Sequence, residues 1–279
     1  MRYIRGTECL GQPSNQVRES SCGSQSQLNG SGPGTVQGAI PGPITPYKLL
    51  IVLSSSQLDA IQQFDTCMIA NAIEQFGVRL RNVGFTRPGL RCVTQRRARL
   101  LGYASTSRVR TSNPPVTGKC YLDRTDWWDS VGRLPLPRIA VIQDVDDTPG
   151  SGACLGEVHS AILKALGCDG AITNGAVRDV PAVSNLNFPL FAPFVTASHS
   201  YMHMVDYGEP VEIFGLRVQT GDLLYADCHG VISIPLQIAA ELPEVAARIQ
   251  TKERKIIDLC LSPDFSTETL VKLIRSDPQ

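Results

Sequence analysis

The chain carries no surplus of either charge. Its 279 residues include 26 Lys and Arg against 26 Asp and Glu, a formal net charge of zero. That balance argues against a broad basic footprint, so no nucleic-acid partner is expected. The one basic stretch, RRARLLGYASTSRVR from Arg96 to Arg110, reads as a solvated face leading into a strand. Paired cysteine spacings are missing too. The nine cysteines are scattered singly and no CxxC occurs, which excludes a zinc-finger pattern. An odd cysteine count in a chain of this length suits free thiols in a reducing compartment, so the expected location is cytoplasmic. No run of about 18 apolar residues exists, and the first residues lack the apolar core of a secretory signal; no membrane partner is expected. Nor does a Gly-rich nucleotide loop open a helix after a strand.

What is present is ordinary globular material: 42% of residues are hydrophobic. Residues 1–46 differ, being rich in Ser, Gly, Gln, Asn and Pro; they are expected to form a disordered arm, or one lying across a neighbouring subunit. Residues 47–279 read as a single domain with C-terminal helices. Helical spacing runs through Leu58, Ile61, Phe64, Met68, Ile69, Ile73 and Phe76, with Asp65-Thr66 capping a second helix and Gly77 stopping it. RIAVIQDV (Arg138 to Val145) is a buried strand, and DGAITNG and PLFAPFV are further strands. VEIFGLRV predicts a hairpin around Phe214-Gly215, and the runs DLLYAD and GVISIP continue as strands. A long amphipathic helix through Ile238, Leu242, Val245, Ile249 and Ile256, kinked at Pro243, precedes a short helix after Ser266. Strands and helices alternate irregularly, so the fold class is α/β.

Chemistry concentrates in GEVHSAILKALGCDGAITNGAVRD, where Glu157 is followed by twenty residues and then Arg178-Asp179. Gly156 opens a helix whose first amides have no intrahelical partner, which suits an anion. An Arg suits a carboxylate and an Asp suits a hard divalent cation. Taken singly, each piece also fits an ordinary helix start or a surface ion pair. The spacing His199-x-x-x-His203 would suit a metal only on a helix, which its surroundings disfavour. Asp222 and Asp227 are expected to stabilise turns.

These motifs, together with GDLLYADCHGVISIP (Gly221 to Pro235), FDTCMIANAIEQFG, TSRVRTSNPP and IQDVDDTPGSGACLGE, resemble the RraA-like family of ribonuclease-activity regulators and 4-hydroxy-4-methyl-2-oxoglutarate aldolases. The resemblance runs from about Leu50 to Ala240. It implies a β/β/α swivelling, phosphohistidine-domain-like fold and a homotrimer or hexamer with sites at subunit interfaces. It implies that Asp179 binds Mg2+ or Mn2+, mostly through water. Arg178 would hold the carboxylate or enolate oxygen of a small 2-oxo acid, and Gly156, Glu157, Val158 and His159 would donate amides to it. Glu157 and Arg178 would serve catalysis. The best-studied aldolases have Asp where Glu157 stands, which leaves the substrate open. The activity implied is retro-aldol cleavage or oxaloacetate decarboxylation through a pyruvate enolate; a non-catalytic regulator, or the same site recruited to a biosynthetic pathway, are the alternatives.

Overall fold

The computed structural model describes residues 51–95, 98–115 and 125–276. The expected arm, residues 1–46, lies outside them. Two capped helices come first. In α1 (Ser55–Ile61) the Ser54 hydroxyl accepts from Gln57 N while the Gln57 side chain accepts from Ser54 N, a reciprocal cap. In α2 (Thr66–Gln75) Asp65 accepts from Met68 N at 2.8 Å, and the helix ends just before Gly77, at φ 61°. There follow β1 (Arg91–Cys92), β2 (Leu100–Arg110), α3 (Thr125–Gly132), β3 (Arg138–Asp144), β4 (Ala153–Leu155), α4 (Glu157–Ala165), β5 (Cys168–Thr173), β6 (Ala176–Val177) and α5 (Val180–Asn185). The chain continues through β7 (Leu190–Ala192), β8 (Phe194–Val195), β9 (His203–Tyr207), β10 (Val211–Ile213), β11 (Leu216–Val218), β12 (Leu223–Asp227) and β13 (Gly230–Ile234), and closes with α6 (Leu242–Cys260) and α7 (Thr267–Ser276).

β2 organises the main sheet. Its first residues pair antiparallel with β12 and its last with β9, while β3 runs parallel along its other edge. The full order is β1-β7-β5-β3-β2-β12-β13, with β9 on β2 as the eighth strand. Alternate side chains take opposite faces of a strand. Thus Ile139 and Val141 of β3 join a core with Leu224 and Ala226 of β12 and the β10–β11 hairpin. Ala140 and Ile142 face the other way, against Trp127, Leu163 and Val183 from α3, α4 and α5. Leu101, Tyr103, Leu223 and Tyr225 pack under α1, α2 and α6. Sheet residues buried on both faces explain why these strands read as near-continuous apolar runs.

Two expectations need correction. PLFAPFV is not one strand: β7 joins the main sheet and β8 joins a separate sheet with β4 and β6. Pro193 separates them, and a proline has no N–H to give a ladder. Pro243 does not kink the last long helix. It occupies the first turn of α6, where a missing N–H costs nothing, and Ile238 belongs to the turns before it. The hairpin at Phe214-Gly215 is present, with Ile213 opposite Leu216. No helix among the described residues is long and apolar enough to cross a membrane.

Candidate functional site

The small sheet builds the site. β4, β6 and β8 are parallel, and the chain leaves all three on one side. Arg178 N bonds Leu155 O at 2.9 Å and Thr196 N bonds Val177 O at 3.0 Å, so the exits stay in register one residue beyond the strands. Crevices outside the carboxyl ends of parallel strands are where α/β folds bind ligands. Here the first exit becomes the start of α4, and the second becomes Arg178-Asp179.

Asp179 adopts a left-handed conformation, φ 56° and ψ 31°. Aspartate tolerates that region better than most residues. The turn has a consequence: Asp179 opens α5 but does not cap it with its side chain. Its carboxylate crosses to the neighbouring helix, where Oδ2 accepts from Glu157 N at 3.1 Å. The same oxygen lies 3.3 Å from Arg178 Nε. Both contacts fall on Oδ2, and Oδ1 takes part in neither. The α4 ladder begins with Ser160 N bonding Gly156 O, so the amides of Val158 and His159 stand ahead of it.

Gly156 is what lets these groups meet. A Cβ there would sit 2.4 Å from Asp179 Oδ2 and 3.1 Å from Arg178 Cγ and Nε. Its φ of −144° is open to any residue, so the constraint is space alone.

The expected residues do not all play alike. Gly156, the Glu157 backbone, Arg178 and Asp179 come together. Glu157's carboxylate is exposed and makes no ion pair or hydrogen bond among the described residues. Val158 projects outward, 70% exposed. The His159 ring turns inward, buried edge-on against Trp127 and Trp128, and Trp128 Nε1 donates to its Nε2 at 3.3 Å. Only its backbone could serve a ligand. Lys164 Nζ donates to Leu186 O at the end of α5. His199 and His203 each engage a nearby backbone carbonyl, on a loop and a strand rather than a helix. Asp222 accepts from Gln219 N at 2.8 Å, as a turn residue should.

A buried network behind the site was not foreseen. Asp146 Oδ2 accepts from Thr111 N at 2.7 Å, Ser112 N at 2.8 Å and Ser112 Oγ at 2.9 Å. Asp144 Oδ2 accepts from Gly150 N at 2.8 Å, and Asp144 exchanges backbone bonds with the Asn174 side chain. Gly175, which opens β6, lies close enough that a Cβ there would touch Asp144. The network therefore positions the segments leading into β4 and β6, and so both halves of the site. The run IQDVDDTPGSG offered a signal: a strand ending in three carboxylates has to find donors for them.

The two acids titrate in opposite senses. Burial pushes Asp144 up, beyond what its Gly150 and Asp146 amide bonds offset. Burial also opposes ionisation of Asp146, but the Thr111 and Ser112 bonds outweigh it and hold its pKa below the usual carboxylate range. A depressed carboxylate stabilises the fold above its unfolded pKa, and that stability is lost as pH falls through the folded one. Ionised Asp144 works the other way, and its cost is relieved by protonation. Asp146→Asn should therefore cost about 2 kcal/mol at neutral pH. The difference from wild type should vanish in acid. Denaturant unfolding across pH checks this; a difference independent of pH would assign the effect to packing.

A site for a divalent cation at Asp179 passes a modest test of fit. The carboxylate has one oxygen, Oδ1, outside the Arg178 and Glu157 contacts, and the side chain is 39% exposed. Mg2+ commonly uses one or two protein carboxylates, with waters and substrate oxygens completing its shell.

The fold and motifs agree with comparisons to known proteins. The family model described as Aldolase/RraA, RraA-like, matches residues 66–233. An uncharacterized protein of Methanocaldococcus jannaschii is 34% identical over 136 residues, covering 47% of this chain and 64% of that protein. The chain thus spans a little under two thirds of that relative. A protein of Halalkalibacterium halodurans, named as a proposed 4-hydroxy-4-methyl-2-oxoglutarate aldolase, is 26% identical over 176 residues, 60% of this chain and 84% of that one. Among solved structures, an uncharacterized Pseudomonas syringae protein superposes with a TM-score of 0.62 at 23% identity, covering 80% of this chain and 95% of that one. Streptomyces coelicolor RraAS2, described as an unusual member of the RNase ES inhibitor RraA family, gives 0.58 at 18% identity, with coverage of 72% and 96%. The likeness to these structures is one of fold, a mixed α/β single domain of the RraA-like type. With the family model covering more than half its length, and Arg178-Asp179 brought to the start of α4 beside Glu157, the chain belongs to the RraA-like family.

Proposed function

We propose that this chain is a divalent-metal-dependent lyase that cleaves or decarboxylates small 2-oxo acids, as in 4-hydroxy-4-methyl-2-oxoglutarate cleavage or oxaloacetate decarboxylation. The observation that carries this reading is the convergence of Arg178, Asp179 and the Glu157 amide on one point beside Gly156. Both reactions break a carbon–carbon bond and leave an electron pair that becomes a pyruvate enolate. Arg178 binds the substrate carboxylate and places fixed positive charge where negative charge develops. The amides at the start of α4 orient the same anion. Asp179, held by Arg178 and Glu157 N, would carry Mg2+ or Mn2+. The cation, when bound, supplies Lewis-acid polarisation of the 2-oxo group. Glu157's exposed carboxylate takes or returns the proton, directly or through water. The exposed thiols Cys67, Cys228 and Cys260 suit a reducing, cytoplasmic setting.

The test is turnover of a panel of 2-oxo acids with Mg2+ or Mn2+. Within it, Arg178→Lys should lose about 100-fold in kcat/KM, because a point charge cannot replace the planar fork. An unchanged value would make Arg178 structural.

The side chains of Arg178 and Asp179 are 36% and 39% exposed, too open for water-excluding chemistry. Val158 at the start of α4 and Phe194 and Val195 of the edge strand β8 lie exposed, at 70%, 50% and 58%. A second subunit covering them would close the site, which supports a homotrimer or hexamer. Light scattering with specific activity measured against dilution checks this, and a fully active monomer refutes it. The same apolar residues suit a second reading, a non-catalytic regulator that grips another protein; absence of turnover across the panel with metal present would favour it.

A further inference from the structure

At the opposite end of the sheet, the turn joining β12 to β13 gathers side chains that the lyase chemistry does not use. Ala226 pairs with Leu100 at the start of β2, whereas the Asp144 end of β3, beside Gly175, pairs with Val109 near its finish. In this turn Asp227, Cys228 and His229 bring a carboxylate oxygen, a thiol and an imidazole nitrogen within 4.8 Å of one another. Among the described residues no other group of three such side chains is so placed.

The arrangement is ordered by Asp227. Its side chain is 5% exposed. Oδ2 accepts from Thr66 N at 2.9 Å, and Oδ1 accepts from Thr66 Oγ1 at 2.7 Å and His229 N at 2.9 Å. Oδ1 also lies 3.1 Å from His229 Nδ1. With the proton on Nδ1, that contact fixes the tautomer and leaves the Nε2 lone pair for a ligand, the relation that carboxylates bear to metal-binding histidines. Nε2 is 3.8 Å from Cys228 Sγ. Two ligands on a tetrahedral Zn2+, at about 2.3 Å for sulfur and 2.0 Å for nitrogen, stand roughly 3.6 Å apart. Sγ also lies 3.6 Å from Nδ1, beside the ring, and because both side chains are solvent-accessible a turn of the Cys228 side chain can carry the sulfur to the Nε2 side.

A further thiol lies on the neighbouring helix α2, outside this group. Cys67 follows Thr66, the residue Asp227 holds, and its thiol is exposed. Burial, and then the charges of Asp65, Asp227 and Cys228, raise its pKa.

We infer that Cys228 and His229, oriented by Asp227, form a second metal site, for a thiophilic divalent cation of the Zn2+ class. Sulfur and imidazole select such ions, while the oxygen of Asp179 selects hard ones, so the two sites discriminate by ligand softness. The Cys228 thiol releases one proton to solvent on binding, so affinity falls as pH falls.

The probe is Co2+, titrated into the reduced, metal-free full chain and followed by its sulfur-to-cobalt charge-transfer and tetrahedral absorption bands. The bands should saturate at one equivalent, beyond any Co2+ held without them at Asp179, and Zn2+ should abolish them. Cys228→Ser should abolish the charge-transfer band and His229→Asn should weaken binding at least tenfold. Asp179→Ala should leave the band intact, which separates this site from the lyase site whatever the turnover assays give. Both changed residues are exposed, so circular dichroism should show the fold retained. No charge-transfer band, or one undiminished in Cys228→Ser, overturns the proposal.

Discussion

Asp179→Ala should abolish metal-dependent turnover, by about a thousandfold or more in kcat/KM, equivalent to about 4 kcal/mol of transition-state stabilisation. The residue combines three things that no neighbour duplicates. It is the carboxylate beside Arg178, it bonds the first amide of α4, and its left-handed backbone turns it toward both. Alanine at a left-handed position adds about 1 kcal/mol of backbone strain. Asp179→Asn is the sharper variant for that reason. It tolerates the same φ and keeps an oxygen for Glu157 N, while removing the charge that a hard cation needs. Turnover should collapse in both variants, with the melting temperature nearly unchanged in Asn. Full activity in either, or in excess chelator, would sink the metal mechanism.

Gly156→Ala should lose about 100-fold in kcat/KM while the fold survives, since misplacing a catalytic group by about 1 Å can cost that much. The new methyl would lie 2.4 Å from Asp179 Oδ2. Backbone strain is not the cause, because φ is −144°. Both neighbours are partly exposed side chains that can swing outward, so the collision is relieved by dispersing the site. Gly102→Ala offers the contrast. There the Cβ would meet the Pro137 carbonyl oxygen at 2.8 Å, between buried strands that cannot yield. That variant should lose stability, and activity only as a consequence. Parallel kinetics and thermal melts separate the two. Wild-type kcat/KM in Gly156→Ala would show that the Arg178-Asp179 pair is not where the chemistry occurs.

The sequence by itself determined the local elements, because their causes are local. Asp65 caps α2 and Gly77 ends it within one helix length. Phe214-Gly215 supplies the positive φ values that the β10–β11 hairpin needs. The alternation in RIAVIQDV sends successive residues to two different cores. The spacing from Glu157 to Arg178-Asp179 also fits one βα unit between two exits of a parallel sheet, which brings Arg178-Asp179 to the start of α4.

What that spacing did not carry is how the groups meet. Asp179 engages the start of α4 rather than the start of its own helix, because of one left-handed residue and the space left by Gly156. Glu157 contributes its amide to that contact, while its carboxylate faces solvent. The division of PLFAPFV between two sheets was decided by tertiary structure as well. So was the clustering of Asp144 and Asp146 with Thr111 and Ser112, more than thirty residues away. Asp227 reaches Thr66 across 161 residues. Such contacts depend on strand order and register, which are settled by burying apolar faces across the whole domain. A local pattern records which residues want a partner; only the packed sheet decides which partner arrives.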